Sequence, residues 1–254
     1  MTEVSLERLN YATVKERSFE VAVLPIGATE PHNLHLPYGT DTLTSIAIGE
    51  AACADANAKG ASTVLLPSIA YGVNSNLMEF PLTMNCRPST HLALLSDIVD
   101  SLEQHGILKL VLLNGHGGNE FSSILRVLYG TTSVFLSLYD WWKAIADETA
   151  AILEEPGDHA EEMETSVALH LYPELVDLDA ADEGATKRCR LQAIENGSVK
   201  ITRPWHLLTE NSGYGDPRKA TAEKGERLYG AAVTILSDYL VELSTAEIDA
   251  TFPY

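Results

Sequence analysis

The stretch "ILKLVLLNG", residues 107–115, is a short apolar run that ends in Asn114 and Gly115. A strand that is apolar on both faces is typical of a parallel sheet buried between two layers of helices. Three other apolar runs of the same kind predict further strands: "FEVAVLPIG" (19–27), "STVLLPSIAYG" (62–72) and "TSVFLSLYDWW" (132–142).

Helical patterns follow these runs, so strands and helices alternate along the first 150 residues. We expect Thr40 or Asp41 to cap the first of these helices and Ser89 or Thr90 to cap the second. The pattern predicts an α/β fold with a mostly parallel sheet and helices on both faces, formed by one domain over residues 1–254. Residues 177–220 carry only weak strand signals. The predicted helices are 42–60, 89–106, 119–130, 162–171 and 222–244.

Composition narrows the classes of function. The chain has 254 residues and a net charge of −19, which disfavours nucleic acid and anionic membranes as main partners. Its three cysteines form no CxxC pair, which suggests a reducing compartment, and we expect a cytoplasmic protein. We find no signal-peptide pattern at the N-terminus and no apolar stretch of about 18 residues.

Polar clusters follow three of the predicted elements, and ligands of open parallel sheets bind beyond the carboxyl ends of the strands. The first cluster is "PIGATEPHNLHLPYGTD" (25–41). Pro31 favours extended backbone at Glu30, so Glu30 and His32 can face one site. Asp41 follows nine residues after His32, and its carboxylate can bridge two cations. A segment broken by Pro and Gly can wrap its ligands around a site, as a helix could not.

The second and third clusters are "NGHGGNE" (114–120) and "GDHAEEMETS" (157–166). His116 is flanked by glycines that allow close backbone approach. His159 lies five residues before Glu164 and would not share a helical face with it, but both can converge if His159 lies in the preceding loop. Mixed imidazole and carboxylate ligands suit Zn²⁺, Mn²⁺ or Fe²⁺. Two such ions about 3.5–4 Å apart can activate water and polarise a carbonyl.

Four motifs in this order resemble those of the creatininase family of metal-dependent amidohydrolases. They are "LPIGATEPHNLHLPYGTD" (24–41), "NGHGGN" (114–119), "HAEEMETS" (159–166) and "GYGDPRKATAEKGE" (213–226), and together they span most of the chain. The resemblance implies an α/β fold of the creatininase type, a three-layer sandwich, with a binuclear metal site. It also implies a homo-oligomer, usually a hexamer. Members of the family hydrolyse small amides such as creatinine or a formamidopyrimidine, and one relative acts on a peptide in mycofactocin maturation.

Carried over by position, the resemblance implies that Glu30, Asp41 and His116 hold one metal ion. It assigns His32 and the bridging Asp41 to the second ion. His159 would be the proton shuttle to the leaving nitrogen. The expected cofactors are therefore two divalent ions per chain, and the expected substrate is a small cyclic or formyl amide.

The chain departs from the creatininase pattern at Gly118, where creatininase itself has a metal-binding glutamate. We assign the missing ligand to Glu164, with Glu162 as the alternative. The segment "YGVNSNLMEFPLT" (71–83) lacks the histidine of its family counterpart and is expected to shape the substrate pocket. These departures argue against creatinine itself as substrate. The segment 213–226 can bind substrate, form an oligomer contact or be a plain turn.

Simpler interpretations exist for several of these residues. Glu161, Glu162 and Glu164 favour a helix N-terminus by charge alone. We interpret His35 as a surface or turn residue and Trp141 and Trp142 as pocket wall or core. The remaining histidines, His91, His105, His170 and His206, are taken as structural or surface residues.

Three other functions are alternatives to a metal-dependent hydrolase. A nucleotide- or phosphate-binding protein would use "NGHGGN" as a glycine-rich loop, but the lysine and hydroxyl residue of a P-loop are missing. A serine hydrolase is disfavoured because GxSxG is absent from the sequence. A non-catalytic relative that retains the fold stays open, since the altered 71–83 segment is compatible with it.

Overall fold

The structure is a computed structural model that describes residues 3–254. Its sheet has four parallel strands in the order β2-β1-β3-β4, so the predicted parallel sheet is confirmed. The register places Ile26 beside Asn114 and Asn114 beside Asp140, which aligns the carboxyl ends of three strands at one edge. The strands are β1 Val21–Ile26, β2 Thr63–Leu65, β3 Lys109–Asn114 and β4 Phe135–Asp140.

Helices cover both faces of the sheet, which confirms the predicted layers. They are α1 Tyr11–Lys15, α2 Thr40–Ala58, α3 Pro88–Gln104, α4 Phe121–Leu128, α5 Trp141–Ala144, α6 Ala146–Ile152, α7 Glu162–Leu171, α8 Gln192–Glu195, α9 Trp205–Leu208 and α10 Ala222–Thr245. Single 3₁₀ turns occupy Leu6–Arg8, Pro173–Leu175, Leu178–Ala180 and Pro217–Lys219.

Strand side chains alternate between two apolar cores, as the pleat of a strand requires. Val111 and Leu113 of β3 pack in the core formed with α2, α7 and α10. Leu110 and Leu112 pack in the opposite core, with α3 and α4. The run at 107–115 is apolar throughout because both of its faces are covered.

Some local predictions are wrong. Gly39 is the N-cap of α2, and Thr40 and Asp41 are its first two helical residues. The Thr40 hydroxyl donates to the Pro37 carbonyl, and the Asp41 carboxylate faces His32 and His116, so neither caps the helix. Arg87 precedes α3, and Pro88 occupies its first turn, where a missing N–H has no cost, so Ser89 and Thr90 are not caps either.

The second predicted strand is much shorter than expected, because only Thr63–Leu65 pairs with β1. Beyond it, Ile69 forms an isolated bridge with Ile26. The weak strand signals of residues 177–220 correspond to turns and the short helices α8 and α9. Within residues 3–254, every helix is too short or too polar to cross a bilayer.

Candidate metal centre

The loops after β1 and β3 start side by side, and the first turn of α2 packs against both of them. A Cβ on Gly115 would lie 2.5 Å from the Asp41 carbonyl oxygen, and one on Gly27 would lie 2.5 Å from the Thr42 nitrogen. Only glycine allows this approach. The two glycines that end the strands therefore let α2 bring Asp41 to the carboxyl edge of the sheet.

Glu30, Asp41 and His116 form the first group of candidate ligands, with one donor atom of each within 4.8 Å of the others. His116 Nδ1 lies 3.2 Å from Glu30 Oε1 and 3.1 Å from Asp41 Oδ2. All three residues are buried, and Glu30 is fully enclosed. This is the set that the motifs assign to one metal ion.

His32, Asp41 and Glu164 form a second group within the same 4.8 Å limit. His32 Nε2 lies 3.0 Å from Asp41 Oδ1, while Asp41 Oδ2 faces His116. The two oxygens of Asp41 therefore face different imidazoles, which is the arrangement that a bridging carboxylate needs. Glu164 is on the first turn of α7 and is partly exposed.

His159 lies in the loop before α7, as its predicted convergence with Glu164 requires. Its Nδ1 is 3.7 Å from Glu30 Oε1 and 4.0 Å from Glu164 Oε2. Its ring packs 4.3 Å from the ring of His32 and forms an edge contact with Trp205. The structure thus brings all six predicted site residues to one place. Glu30, His32 and His159 also form a possible ligand group.

Each of the three histidines has one ring nitrogen held by a backbone carbonyl. His32 Nδ1 lies 3.1 Å from the Glu30 carbonyl, His116 Nε2 lies 3.2 Å from that of Val73, and His159 Nε2 lies 2.9 Å from that of Pro31. A nitrogen beside a carbonyl must carry the proton, so the other nitrogen of each neutral ring has a free lone pair. These free nitrogens are the ones that face the carboxylates.

Three buried carboxylate oxygens at this site receive no hydrogen bond from residues 3–254: both oxygens of Glu30 and Oδ2 of Asp41. His116 Nδ1 is close to two of them, but with the proton on Nε2, beside the Val73 carbonyl, the neutral ring has no hydrogen there to donate. A buried carboxylate without a donor or a cation costs several kcal/mol. Together with the free imidazole nitrogens, these oxygens fit a site built for divalent cations.

In the metal-free protein the charges of the cluster strongly raise the pKa values of His32 and His116. Burial lowers the pKa of His32, but the charge of Asp41 and the hydrogen bond to it outweigh burial and raise the pKa to about 10. Burial also opposes protonation of His116, yet Glu30 and Asp41 hold its pKa well above the usual value. The carboxylates thus favour protonation of the imidazoles, and the added protons lie where a metal ion would bind.

Glu162 and Glu161 have other partners. Glu162 points away from the cluster, where it pairs with Lys224 and accepts the backbone N–H groups of Glu154 and Glu155 at 2.9 and 2.8 Å. Glu161 caps α7 by accepting the N–H groups of Met163 and Glu164. Burial and then the charge of Glu164 raise the pKa of Glu161 to about 8. Of the two candidates for the missing ligand, Glu164 is the one at the cluster.

The sequence analysis did not identify the residues that hold the ligand loops in place. Asn119 accepts the Val73 N–H at 3.0 Å and donates to the Gly27 carbonyl, so it ties together the segments that carry Glu30 and His116. His35, predicted to be a surface or turn residue, does lie in a turn, but it is only 2 % exposed and its Nε2 lies 2.8 Å from Thr165 Oγ1. Asparagine in a strand-to-helix turn was the available signal for Asn119.

A pocket of about 250 Å³ opens onto the cluster. Trp141, Trp142 and Trp205 contribute aromatic wall, which confirms the pocket interpretation of the tryptophan pair. Asn76 and Leu77, from the 71–83 segment, also line the pocket, as expected. No residue of the segment 213–226 is among the described residues that line the pocket. Its Tyr214 instead pairs with His159 through backbone hydrogen bonds.

Comparison with known proteins agrees with this geometry. The family model for creatininase, described as creatinine amidohydrolase, matches residues 7–240. A mycofactocin precursor peptide peptidase of Mycobacterium ulcerans is 30 % identical over 220 residues, covering 83 % of this chain and 80 % of that protein. A creatinine amidohydrolase of Pseudomonas putida is 29 % identical over 63 % of this chain and 67 % of that protein.

Solved structures show the same fold. A Bacteroides fragilis protein provisionally named a creatinine amidohydrolase superposes with a TM-score of 0.92 at 36 % identity, over 98 % of this chain and 100 % of that one. A structure named creatininase Mn superposes with a TM-score of 0.81 at 24 % identity, over 96 % of this chain and 100 % of that one. These matches confirm the resemblance that the four motifs indicated.

Proposed function

The chain belongs to the creatininase family of hydrolases, and from that premise we propose that it hydrolyses an amide bond with the help of two divalent cations. The observation that carries the proposal is a set of buried Glu30 and Asp41 oxygens that receive no hydrogen bond from the described residues 3–254 and lie beside the free nitrogens of His32 and His116. The name of the solved creatininase with Mn supports a metal in the family.

The residues divide naturally between two ions. Glu30, Asp41 and His116 would hold one, and His32, Asp41 and Glu164 would hold the other. Glu164 takes the place of the glutamate that Gly118 removes. A side chain at position 118 would collide with His116 and the Val73 carbonyl, because a Cβ there lies 2.4 and 2.5 Å from them. The metal identity, among Zn²⁺, Mn²⁺ and Fe²⁺, is part of the proposal.

When bound, such ions lower the pKa of water and polarise an amide carbonyl. His159 supplies the proton-transfer group. Its Nε2 is fixed by the Pro31 carbonyl, so Nδ1 faces the cluster and can take up a proton and pass it to a leaving nitrogen. Trp205 packs edge-on against the ring and restricts its rotation. The tryptophan walls limit access of bulk water.

We propose a small cyclic or formyl amide as the substrate class, consistent with the limited pocket volume. A peptide is a second candidate, because mycofactocin precursor peptide peptidases of Mycobacterium ulcerans and Mycolicibacterium smegmatis are 30 % and 28 % identical to this chain over more than four fifths of its length. Creatinine is disfavoured, since Gly118 and the altered 71–83 segment depart from creatininase at the site. The homohexamer stays a prediction that size-exclusion chromatography with light scattering would test, and the cytoplasmic location stays a prediction as well.

The test is metal-dependent hydrolysis. The protein is stripped with a chelator, reloaded separately with Mn²⁺, Zn²⁺ or Fe²⁺, and assayed against creatinine, formamidopyrimidines, small lactams, N-formyl amino acids and short peptides. We expect about two ions per chain and hydrolysis that disappears on stripping and returns on reloading. A chain that binds little metal and hydrolyses nothing in this panel would instead match the non-catalytic alternative.

A further inference from the structure

Arg203 places a positive charge in the wall of an otherwise acidic pocket. Within residues 3–254 it is the only lysine or arginine among the lining side chains, which otherwise include five carboxylates. These carboxylates are Glu30, Asp41, Asp158, Glu161 and Glu164. The proposed ions account for the carboxylates of the cluster, but they do not account for the cation.

Aromatic rings hold the Arg203 side chain in place. Its guanidinium carbon lies 5.2 Å from the centre of the Trp205 ring and 5.8 Å from that of Tyr214. Such stacking orients the planar guanidinium without using its N–H groups, of which one at Nη2 donates to Asp158. An arginine fixed in this way is a good receptor for a carboxylate, which can accept two parallel hydrogen bonds from it.

The guanidinium also has a weak partner that a ligand can replace or share. Arg203 pairs with Asp158 at 2.6 Å, but both side chains are nearly half exposed. Exposed pairs of this kind contribute little to stability. A substrate carboxylate enclosed between Trp205 and the pocket wall would be less hydrated and would therefore interact more strongly with the guanidinium.

The position of Arg203 relative to the candidate metal centre sets the size of the substrate. Trp205 contacts both groups, with its ring centre 5.1 Å from that of His159 and 5.2 Å from the guanidinium carbon. Arg203 is thus no more than roughly 10 Å from the imidazole of the proposed proton shuttle. A molecule with a carbonyl at the cluster can reach Arg203 with a group only a few bonds away.

We propose that Arg203 determines specificity by binding a free carboxylate of the substrate, which is therefore an amide with a carboxylate a few bonds from the scissile carbonyl. The inference rests on the proposed function, since it places the reacting carbonyl at the metal cluster. Neutral amides of the same length would lack this contact. They would bind more weakly and in less uniform orientations.

The test measures binding of matched probes to the Mn²⁺-loaded protein by isothermal titration calorimetry. The probes are the monohydroxamates of succinic, glutaric and adipic acids, each compared with the hydroxamate that has a carboxamide in place of the free carboxylate. The hydroxamate group binds the metal in both members of a pair, so their Kd ratio isolates the carboxylate. The variants are Arg203→Gln and Arg203→Lys.

Lys143→Gln is the matched control. Lys143 also lies over a pocket tryptophan, 5.8 Å from the Trp142 ring centre, and pairs with an aspartate, Asp140, at 2.6 Å. Its side chain is 69 % exposed and does not line the pocket. Any general effect of removing a stacked surface cation appears in this variant as well.

We expect at least one acid of the series to bind the unaltered protein about tenfold more tightly than its carboxamide, the usual range for a charge-assisted contact. Arg203→Gln should abolish that preference without changing carboxamide binding, Arg203→Lys should keep part of it, and Lys143→Gln should keep all of it. Equal binding of acids and carboxamides, or a preference that survives Arg203→Gln, would overturn the assignment of Arg203 and leave the proposed function intact. Failure of every hydroxamate to bind would overturn the metal-dependent function and this inference with it.

Discussion

Two buried glutamates of this chain have opposite surroundings. Glu162 is fully enclosed and receives Lys224 and two backbone N–H groups. Glu30 is also fully enclosed, but neither of its oxygens receives a hydrogen bond from the described part of the chain. The fold can therefore satisfy a buried carboxylate where the carboxylate is structural.

The difference supports the proposed metal-binding role of the cluster around Glu30. An unpaired buried carboxylate destabilises a protein, so the arrangement is explained by a partner that the chain does not itself supply. Cations fit this role, because the nearest nitrogens belong to imidazoles whose other nitrogen is already held. The region around Glu162 contributes stability, whereas the region around Glu30 is assigned to chemistry.

The largest effect should come from Asp41→Ala, which removes the carboxylate facing both His32 and His116. We expect loss of both ions and a fall in turnover of at least about 10³-fold, because both the activated water and the polarised carbonyl depend on the ions. Metal content by mass spectrometry and kcat measure this. Asp55→Ala, on the exposed side of the same helix, should keep both ions. Full metal content in Asp41→Ala would show that Asp41 does not bridge.

His159→Ala should separate proton transfer from metal binding. We expect retained metal and a decrease in kcat of about 10²–10⁴-fold, the usual contribution of a general acid–base group. His170→Ala, near the end of the following helix, serves as the control and should behave like the unaltered protein. Loss of metal from His159→Ala would mean that His159 is a ligand, in the group with Glu30 and His32.

Glu162→Ala and Glu164→Ala test the comparison within one helix. Glu162→Ala should keep both ions but lower the free energy of unfolding by about 2 kcal/mol, because hydrogen bonds to a charged group are lost. For a chain of this size that corresponds to a fall in Tm of roughly 4–8 °C. Glu164→Ala should instead lose one ion and leave the Tm of the stripped protein unchanged or higher. The reverse pattern would make Glu162 the ligand.

The smallest effect concerns pH. The raised pKa values of His32, at about 10, and of His116 mean that both rings carry an extra proton at neutral pH when no ion is bound. Metal binding must displace these protons, so affinity should rise by about tenfold per pH unit for each proton released below the folded pKa. Calorimetry in buffers of different ionisation enthalpy measures the number of protons, and absence of release would contradict the raised values.

The same raised pKa values give the stability of the stripped protein the opposite pH dependence: metal affinity rises with pH, whereas the free energy of unfolding falls. A histidine whose pKa rises on folding stabilises the folded state fully below its unfolded pKa of about 6.5, and the contribution is lost as pH rises toward the folded value. We therefore expect the Tm of the stripped protein to fall between about pH 6.5 and pH 10. Metal-loaded protein should show a smaller decrease, because neutral imidazoles are then the bound form.

The sequence predicts the fold of this protein better than the local geometry of its site. Apolar runs and helical periodicity were sufficient to predict the four strands and the parallel sheet, because burial on both faces leaves a local mark on sequence. The predicted starts of α7 at Glu162 and of α10 at Ala222 are confirmed, but the predicted caps of α2 and α3 are wrong. Asp41 satisfies the pattern of a cap, but its carboxylate faces His32 and His116, and no local rule distinguishes those two uses.

The sequence by itself determined the alternating α/β plan and the residue types of the site, since both depend on short-range patterns and on motifs with fixed spacing. Only the tertiary structure decided which glutamate of "EEMETS" faces the cluster. Residues two apart on a helix point about 200° apart, so the packing of α7 against its neighbours had to place Glu164 at the site and Glu162 at Lys224. Arg203 likewise lines the pocket only because the fold places its segment beside Asp158, which is 45 residues away in the sequence, and no local pattern records that contact.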